Sequence, residues 1–376
     1  MRVSCLQENL AKGLSIVGRA VAVRSTLPVT QNVLIATDNS RLKLAATNLE
    51  IAVCCWIGAK VEEEGALTVP SRILTEFVSA LPNDKIALTA PAKGKVLHMA
   101  CGRYEARMSG IDADDFPPIP DVGGDLTATI EPDVLRTTIS QVALAAAQED
   151  SRPVLTGVNM SFSEDMMTLA AADGFRLAVR KTKLSAHVTE ASVIVPARAL
   201  MELARLLADQ ADPVEVTVNT ARSQVLFRLK NVELVSQLLQ GTFPNYTQLI
   251  PQGHASRAVV DAGEFQRATK TAAIFARDAS GIVRLQVTPS TDGARGKLTV
   301  MARAEEVGDN QSEIDAVVEG EAAKIAFNSK YLLDVLSVLD KGQVALETTS
   351  PSSPGVIRPV GDDSYVHVVM PMFVQW

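Results

Sequence analysis

Along this chain, stretches with apolar residues at helical spacing alternate with stretches that flip between apolar and polar, and the whole alternation returns three times. Helical spacing marks windows 9–22, 71–81, 133–147, 197–209, 263–277 and 329–340. In the second window Ile73, Leu74, Phe77, Val78 and Leu81 make one stripe, and Arg72, Glu76 and Ser79 fall on the other face. Strand-like alternation is clearest in the middle third, at 126–130, 157–162, 167–172, 176–180, 192–195, 214–218, 224–229 and 233–239. Ser163-Glu-Asp and Asp173-Gly174 read as turns between strands, and Glu131-Pro132 before Asp133 reads as a helix start. Each third therefore reads as β-α-β-β-β twice over.

The thirds align on landmarks. The first helical windows match at Leu10, Leu135 and Phe265, and the second at Pro70-Ser-Arg, Pro196-Ala-Arg and Asn328-Ser-Lys. The copies end at Phe116-Pro117, Phe243-Pro244 and Met370-Pro371, so the period is about 125–132 residues. This predicts an α+β protein of three tandem modules, at 1–122, 123–250 and 251–376. Each module is long enough to bury its own core. Amphipathic helices must lay their apolar stripe on a sheet, which puts helices on one side and strands outside. A curved array with open ends can close on a second copy of itself as a ring.

Charge changes this picture only in its distribution. The net charge is −7, which argues against a nucleic-acid partner. Yet the six helical windows carry ten basic residues against seven acidic ones, so the helices are mildly basic on an acidic chain. Cys5, Cys54, Cys55 and Cys101 lack C-x-x-C spacing and are expected to be reduced, buried thiols; the four histidines make no ligand spacing. The acidic groupings Asp114-Asp115 and Glu62-Glu-Glu read as exposed turns, and no catalytic residue, cofactor or metal is predicted. Met1-Arg-Val-Ser-Cys reads as a strand, and no apolar run approaches the ~20 residues of a membrane span, which predicts a cytoplasmic protein without a membrane partner.

Several segments carry a resemblance. Arg24-Ser-Thr-Leu-Pro-Val, Ala46-Thr-Asn-Leu-Glu-Ile, Asp114-Asp-Phe-Pro, Ala171-Ala-Asp-Gly-Phe-Arg-Leu-Ala, Gly241-Thr-Phe-Pro-Asn-Tyr, Phe327-Asn-Ser-Lys-Tyr-Leu-Leu-Asp and Val369-Met-Pro-Met occur in this order over the whole length. Together they resemble the bacterial sliding clamps, the beta subunits of the DNA polymerase III holoenzyme. The resemblance implies a head-to-tail homodimer, a six-module ring that encircles duplex DNA without reading its sequence. It also implies that the ring tethers the replicative polymerase subunit, other polymerases and repair factors by short peptide motifs, and that a clamp loader opens it.

By matching motifs, the resemblance places a partner-peptide pocket at Leu155, Ala172, Gly174, Phe175, Arg176, Leu177, Pro244, Gln248, Leu249, Asn328, Tyr331, Val368, Val369, Met370, Pro371 and Met372. The alternative is that Leu155, Leu177, Leu249 and Met370 are plain core. Phe175 stands where the family has histidine, Ala172 where it has threonine, and Gln248 where arginine is common. The ending Phe373-Val-Gln-Trp376 replaces a short Arg-Leu, so Trp376 is a candidate cover for the pocket. DNA contacts are implied at Arg24, Arg72, Gln148, Arg152 and Arg198, with Arg277 and Lys330 added from the last module, although Arg152-Pro-Val lacks the family's aromatic pair. Subunit contacts are implied at Ile274 and Phe275, facing a sheet edge near Met108; the alternative is that this pair is the buried face of its helix. Two rival classes remain, a clamp-like adaptor that is not loaded on DNA and an enzyme.

Overall fold

The computed structural model describes residues 1–376 except 92–93, 125, 150, 278–280, 291–294, 305, 307, 340–341 and 376. Its helices are α1 (Gln7–Val17), α2 (Ser71–Ala80), α3 (Pro132–Val142), α4 (Ala197–Leu206), α5 (Ala262–Arg277) and α6 (Ser329–Ser337). The six windows are all helical, and α1, α3 and α4 each finish in a short 3-10 turn rather than running on. The chain divides into two compact units, Met1–Asp133 with Glu202–Leu238, and Val134–Met201 with Leu239–Trp376. No described helix is long and apolar enough to cross a membrane.

In the first unit, α1 buries Leu10, Gly13, Leu14 and Val17, a spacing that lays one face on strand Ile51–Gly58. Gly13 lets the helix come close there, because a Cβ would meet Leu44 Cδ1 at 2.6 Å and displace that side chain. Helix α2 packs against α1 through Leu74 and Val78. Ile73, placed by periodicity on the apolar stripe, is instead 57% exposed. The strands form two antiparallel sheets. One runs Lys60–Glu63, Arg2–Leu6, Lys85–Thr89, Val96–Cys101, Tyr104–Ser109. The other has eight strands, and at its centre Val232–Gln237 of the second repeat pairs with Ile51–Gly58 of the first, with Leu234 opposite Val53 and Val235 opposite Ala52. Ile119 and Val122, from the connecting segment, cover the outer face of this junction over Ala52, Leu226 and Val235.

The second unit is built on one ten-stranded sheet. The third repeat follows the expected order strand for strand: Ser256–Asp261, α5, Ile282–Thr288, Gly296–Ala304, Gly308–Gly320, Ala323–Asn328, α6, Gln343–Thr348, Gly355–Pro359, Tyr365–Val369. Asp261 starts α5 by accepting from Glu264 N at 2.9 Å, and Asn328 starts α6 by accepting from Lys330 N at 2.9 Å. In the middle repeat Gly157–Ala172 and Arg176–Pro196 run without a named break, but the chain reverses within the first of them: residues 157–162 pair with 191–196 and residues 166–172 with 177–183. Ser161 Oγ donates to Thr168 O at 3.4 Å across Ser163-Glu-Asp, where Glu164 has φ +56°, so the expected turn is there. A second junction joins Arg176–Pro196 to Tyr365–Val369, with Leu177 opposite Val368 and Ala178 opposite His367.

The end landmarks are not all equivalent. Phe116 and Phe243 lie well beyond the last strands of their repeats, whereas Met370 directly follows Tyr365–Val369. The matched spacing of Met370-Pro371 is therefore a coincidence of a shorter ending and a longer third repeat.

Candidate partner cleft and nucleic-acid surface

The turn Asp173-Gly174 organises one end of the second unit. Gly174 has φ +94°, and Asp173 Oδ1 accepts from the backbone N–H groups of Phe175 and Arg176 at 2.9 and 3.0 Å. The Arg176 side chain is then held in place. Its Nε donates to Asp173 Oδ2 at 3.1 Å, its Nη1 to Asp334 Oδ2 at 2.5 Å, and its guanidinium lies 4.5 Å from the Tyr331 ring centroid. Phe175 stacks on Tyr331 at 6.4 Å and is 57% exposed. Burial raises the Tyr331 phenol pKa, with the Asp173 carboxylate adding to it. Ala146, Ala147, Gln148, Arg152, Leu155, Asp173, Phe175, Arg176, Lys330 and Tyr331 line a cleft of about 220 Å³.

Beside the cleft lies an apolar floor. Leu177 and Val368 belong to a buried cluster with Ala170, Val179, Val356 and Val366, against which Ala172, Phe243, Tyr246 and Ile250 pack. Leu155 and Leu177 are buried, whereas Leu249 is 55% and Met370 43% exposed, so the last two are not core. Pro244 and Gln248 are exposed, Pro371 and Met372 half-buried. Backbone bonds fix the ending, Met370 N to Phe175 O and Met372 N to Ala326 O, both 2.8 Å. Val369 is fully buried and presents nothing to a ligand, and Asn328 is occupied as a helix cap. Trp376 lies outside the described residues.

Beneath the floor is a polar network. The Tyr365 hydroxyl donates to Gln141 O at 3.1 Å and lies 3.1 Å from His367 Nδ1, while Arg180 donates to Gln141 Oε1 at 2.7 Å. His367 Nε2 is buried with no partner among the described residues. Burial, and then the charge of Arg176, holds the His367 imidazole down at about 3. It is therefore neutral.

All seven proposed DNA residues are exposed. Gln148, Arg152 and Lys330 converge on the cleft, and Arg152 Nη1 would lie 3.5 Å from a Cβ on Gly174. Arg72, Arg198 and Lys330 are each the second residue of the second helix of their repeat. A cation in a first turn opposes the helix dipole, by about 0.3–1 kcal/mol. The helix dipole therefore does not account for the threefold placement, although Arg72 also donates to Glu76 Oε1 at 2.9 Å one turn on. Arg24 and Arg277 are exposed at a loop and at the end of α5.

Ile274 is 60% exposed and Phe275 half-buried, so this pair is not simply the inner face of α5. Met108 is 7% exposed, in Tyr104–Ser109 at the edge of its sheet. Sequence reasoning missed Asp173 and Asp334 as the carboxylates that hold Arg176. The aspartate of Tyr-Leu-Leu-Asp was the available signal. Of the acidic groupings, Asp114 and Asp115 lie exposed in a 3-10 turn, whereas Glu62 and Glu63 belong to a strand. No described group of three or more His, Cys, Asp or Glu is placed to hold a metal.

A chain of three repeats, joined edge to edge and bearing an aromatic-lined cleft, matches one class of protein over its full length. Family models for the DNA polymerase III beta subunit match its N-terminal domain at residues 1–120, its central domain at 129–245 and its C-terminal domain at 247–373. A beta sliding clamp of Synechococcus elongatus is 33% identical, covering 99% of each chain, and one of Staphylococcus aureus is 30% identical over 94% of each. The crystal structure of the Bacillus subtilis DNA polymerase sliding clamp superposes with TM-score 0.92 at 27% identity, covering 100% of both chains. A Pseudomonas aeruginosa sliding clamp bound to griselimycin gives 0.91 at 30% identity, also covering 100% of both. The chain belongs to the DNA polymerase III beta subunit family, and its function is that of a sliding clamp in DNA replication.

Proposed function

We propose that the chain forms a head-to-tail homodimer, a ring of six modules with boundaries near residues 122 and 250, that encircles duplex DNA and tethers its partners there. One observation carries this reading. The same edge-to-edge junction is made twice within the chain, by Val232–Gln237 on Ile51–Gly58 and by Tyr365–Val369 on Arg176–Pro196. One copy of each edge is left over. Tyr104–Ser109 pairs only with Val96–Cys101, and residues 308–316 pair only with Gly296–Ala304, among the described residues. Two unlike free edges on each chain suit a heterologous contact that closes, and unpaired edges invite pairing.

The clamp makes and breaks no bond. A closed ring stays on DNA by topology, and a tethered polymerase then meets its template at high effective concentration. Arg24, Arg72, Gln148, Arg152, Arg198, Arg277 and Lys330 supply phosphate contacts that position the ring without specifying sequence. The exposed Phe175, Leu249 and Met370 beside the apolar floor suit short peptides with apolar anchors, from the replicative polymerase subunit, other polymerases, repair factors and the clamp loader. The place of action is the cytoplasm.

The test is release from DNA. Clamps loaded by their loader on a nicked circular plasmid should come off when the plasmid is cut once to a linear form. Retention on the linear product contradicts topological linkage.

A further inference from the structure

The two junctions inside the chain follow one ladder, so each residue at one corner has a counterpart at the other. Trp56 N donates to Asn231 O at 2.9 Å, and Lys181 N to Ser364 O at 2.8 Å. Next to them Cys55 faces Val232 and Arg180 faces Tyr365. The same ladders make Ile57 equivalent to Thr182 and Leu229 to Asp362, and the helix landmarks Leu10 and Leu135 make Ile16 equivalent to Gln141 and Gly13 to Thr138. At the second junction polar side chains bond across this corner. Arg180 donates to Gln141 Oε1 at 2.7 Å and to Asp362 Oδ2 at 3.1 Å, Gln141 Nε2 donates to Val338 O at 3.3 Å, and the Thr138 and Thr182 hydroxyls lie 3.0 Å apart.

At the first junction the same positions leave a cavity. Cys55 and Val232 are much shorter than Arg180 and Tyr365, Gly13 has no side chain, and Ile16, Ile57 and Leu229 make no polar bridge. The cavity measures about 790 Å³ and lies between α1, the end of α4 and the strand ends at Gly58 and Val232. Small-molecule sites typically span ~300–1,000 Å³. Its floor is apolar, and burial pushes the Cys55 thiol up to about 11, so the floor carries no charge at neutral pH. Its rim is basic, with Lys12 and Arg19 of α1, Arg205 of α4 and Lys230 against Asp209. Lys12 pairs with Asp209 at 3.0 Å, Lys230 with Asp212 at 3.2 Å, and Arg19 and Arg205 both with Glu202. These four cations share three carboxylates. Both members of each lysine pair are more than half exposed, and such pairs are weak enough to exchange for another anion.

We propose that this cavity binds a small amphipathic anion, an apolar body bearing one acidic group, with the body on Ile16, Cys55, Leu229 and Val232 and the acid among the rim cations. Burial of the body supplies affinity, and the basic rim sets its orientation. None of these residues is among those given above to peptide or to DNA. The ligand touches α1 of the first repeat and the end of α4 of the second, and by binding the folded chain alone it raises Tm.

The experiment titrates the folded, full-length protein with anilinonaphthalene sulfonate, an amphipathic anion whose fluorescence rises in an apolar site. Saturable binding is expected, and an excess of clamp-binding peptide should not displace it, although the peptide cleft has an apolar floor of its own. Arg205→Gln with Lys230→Gln, both at exposed positions, should weaken the anionic probe about tenfold and leave its uncharged analogue N-phenylnaphthylamine unaffected. Ile16→Trp should plug the cavity and abolish binding of both probes. Displacement by the peptide, a double variant that binds the anion like the parent, or the absence of saturable binding overturns the site.

Discussion

Arg176 Nη1 and Asp334 Oδ2 lie 2.5 Å apart and tie the hairpin end of the second repeat to the second helix of the third. The arginine side chain is 3% exposed and the aspartate 32%, so the pair is half in water. Its energy lies between that of a surface pair and that of a buried one. Because Arg176 also stacks on Tyr331, the pair sets the ring against which Phe175 lies. Asp334→Asn should keep the hydrogen bond and lose the charge, destabilising the protein by about 1–3 kcal/mol as a lower urea midpoint. An unchanged midpoint contradicts the role given to this pair.

Peptide binding should follow the exposed members of the cleft rather than the buried ones. Met370→Ala and Leu249→Ala remove side chains that are 43% and 55% exposed. Each should weaken a fluorescent peptide carrying the polymerase's clamp-binding motif by about tenfold in anisotropy titrations, with little change in stability. Leu177→Ala is a poorer probe, since truncating a buried leucine costs about 2–5 kcal/mol of folding on its own. Binding that ignores both exposed truncations removes the peptide site from this surface.

His367 gives the protein an acid-sensitive contribution. The folded imidazole sits at about 3, below the ordinary 6.5, so the unfolded chain binds more protons between these values. Stability from this residue is complete above pH 6.5 and falls as pH drops toward 3, by at most about 1.4 kcal/mol per pH unit. His367→Gln should flatten the decline of Tm between pH 6.5 and 4 relative to the parent. Parallel pH profiles contradict the buried, neutral assignment.

The salt dependence of DNA binding measures the basic helix positions together. Replacing Arg72, Arg198 and Lys330 by alanine should weaken binding on all sequences alike and lower the slope of log K against log salt by about 0.9 for each phosphate that is no longer neutralised. An unchanged slope shows that these residues face water only.

The modules were legible in the sequence because amphipathic helices and alternating strands follow from local periodicity. Ile73 was assigned to the core because hydrophobic spacing does not distinguish a residue that packs within the chain from one left exposed at 57%. The residues proposed for peptide binding came from motifs, but their arrangement depends on Asp173 and Asp334, which lie far apart along the chain and are bridged by Arg176.

Electron microscopy of the isolated chain tests the central claim most directly. The account predicts a closed ring of six lobes around a central hole, formed by two chains. Compact particles without a hole, or single arcs at concentrations well above the dimer Kd, contradict it.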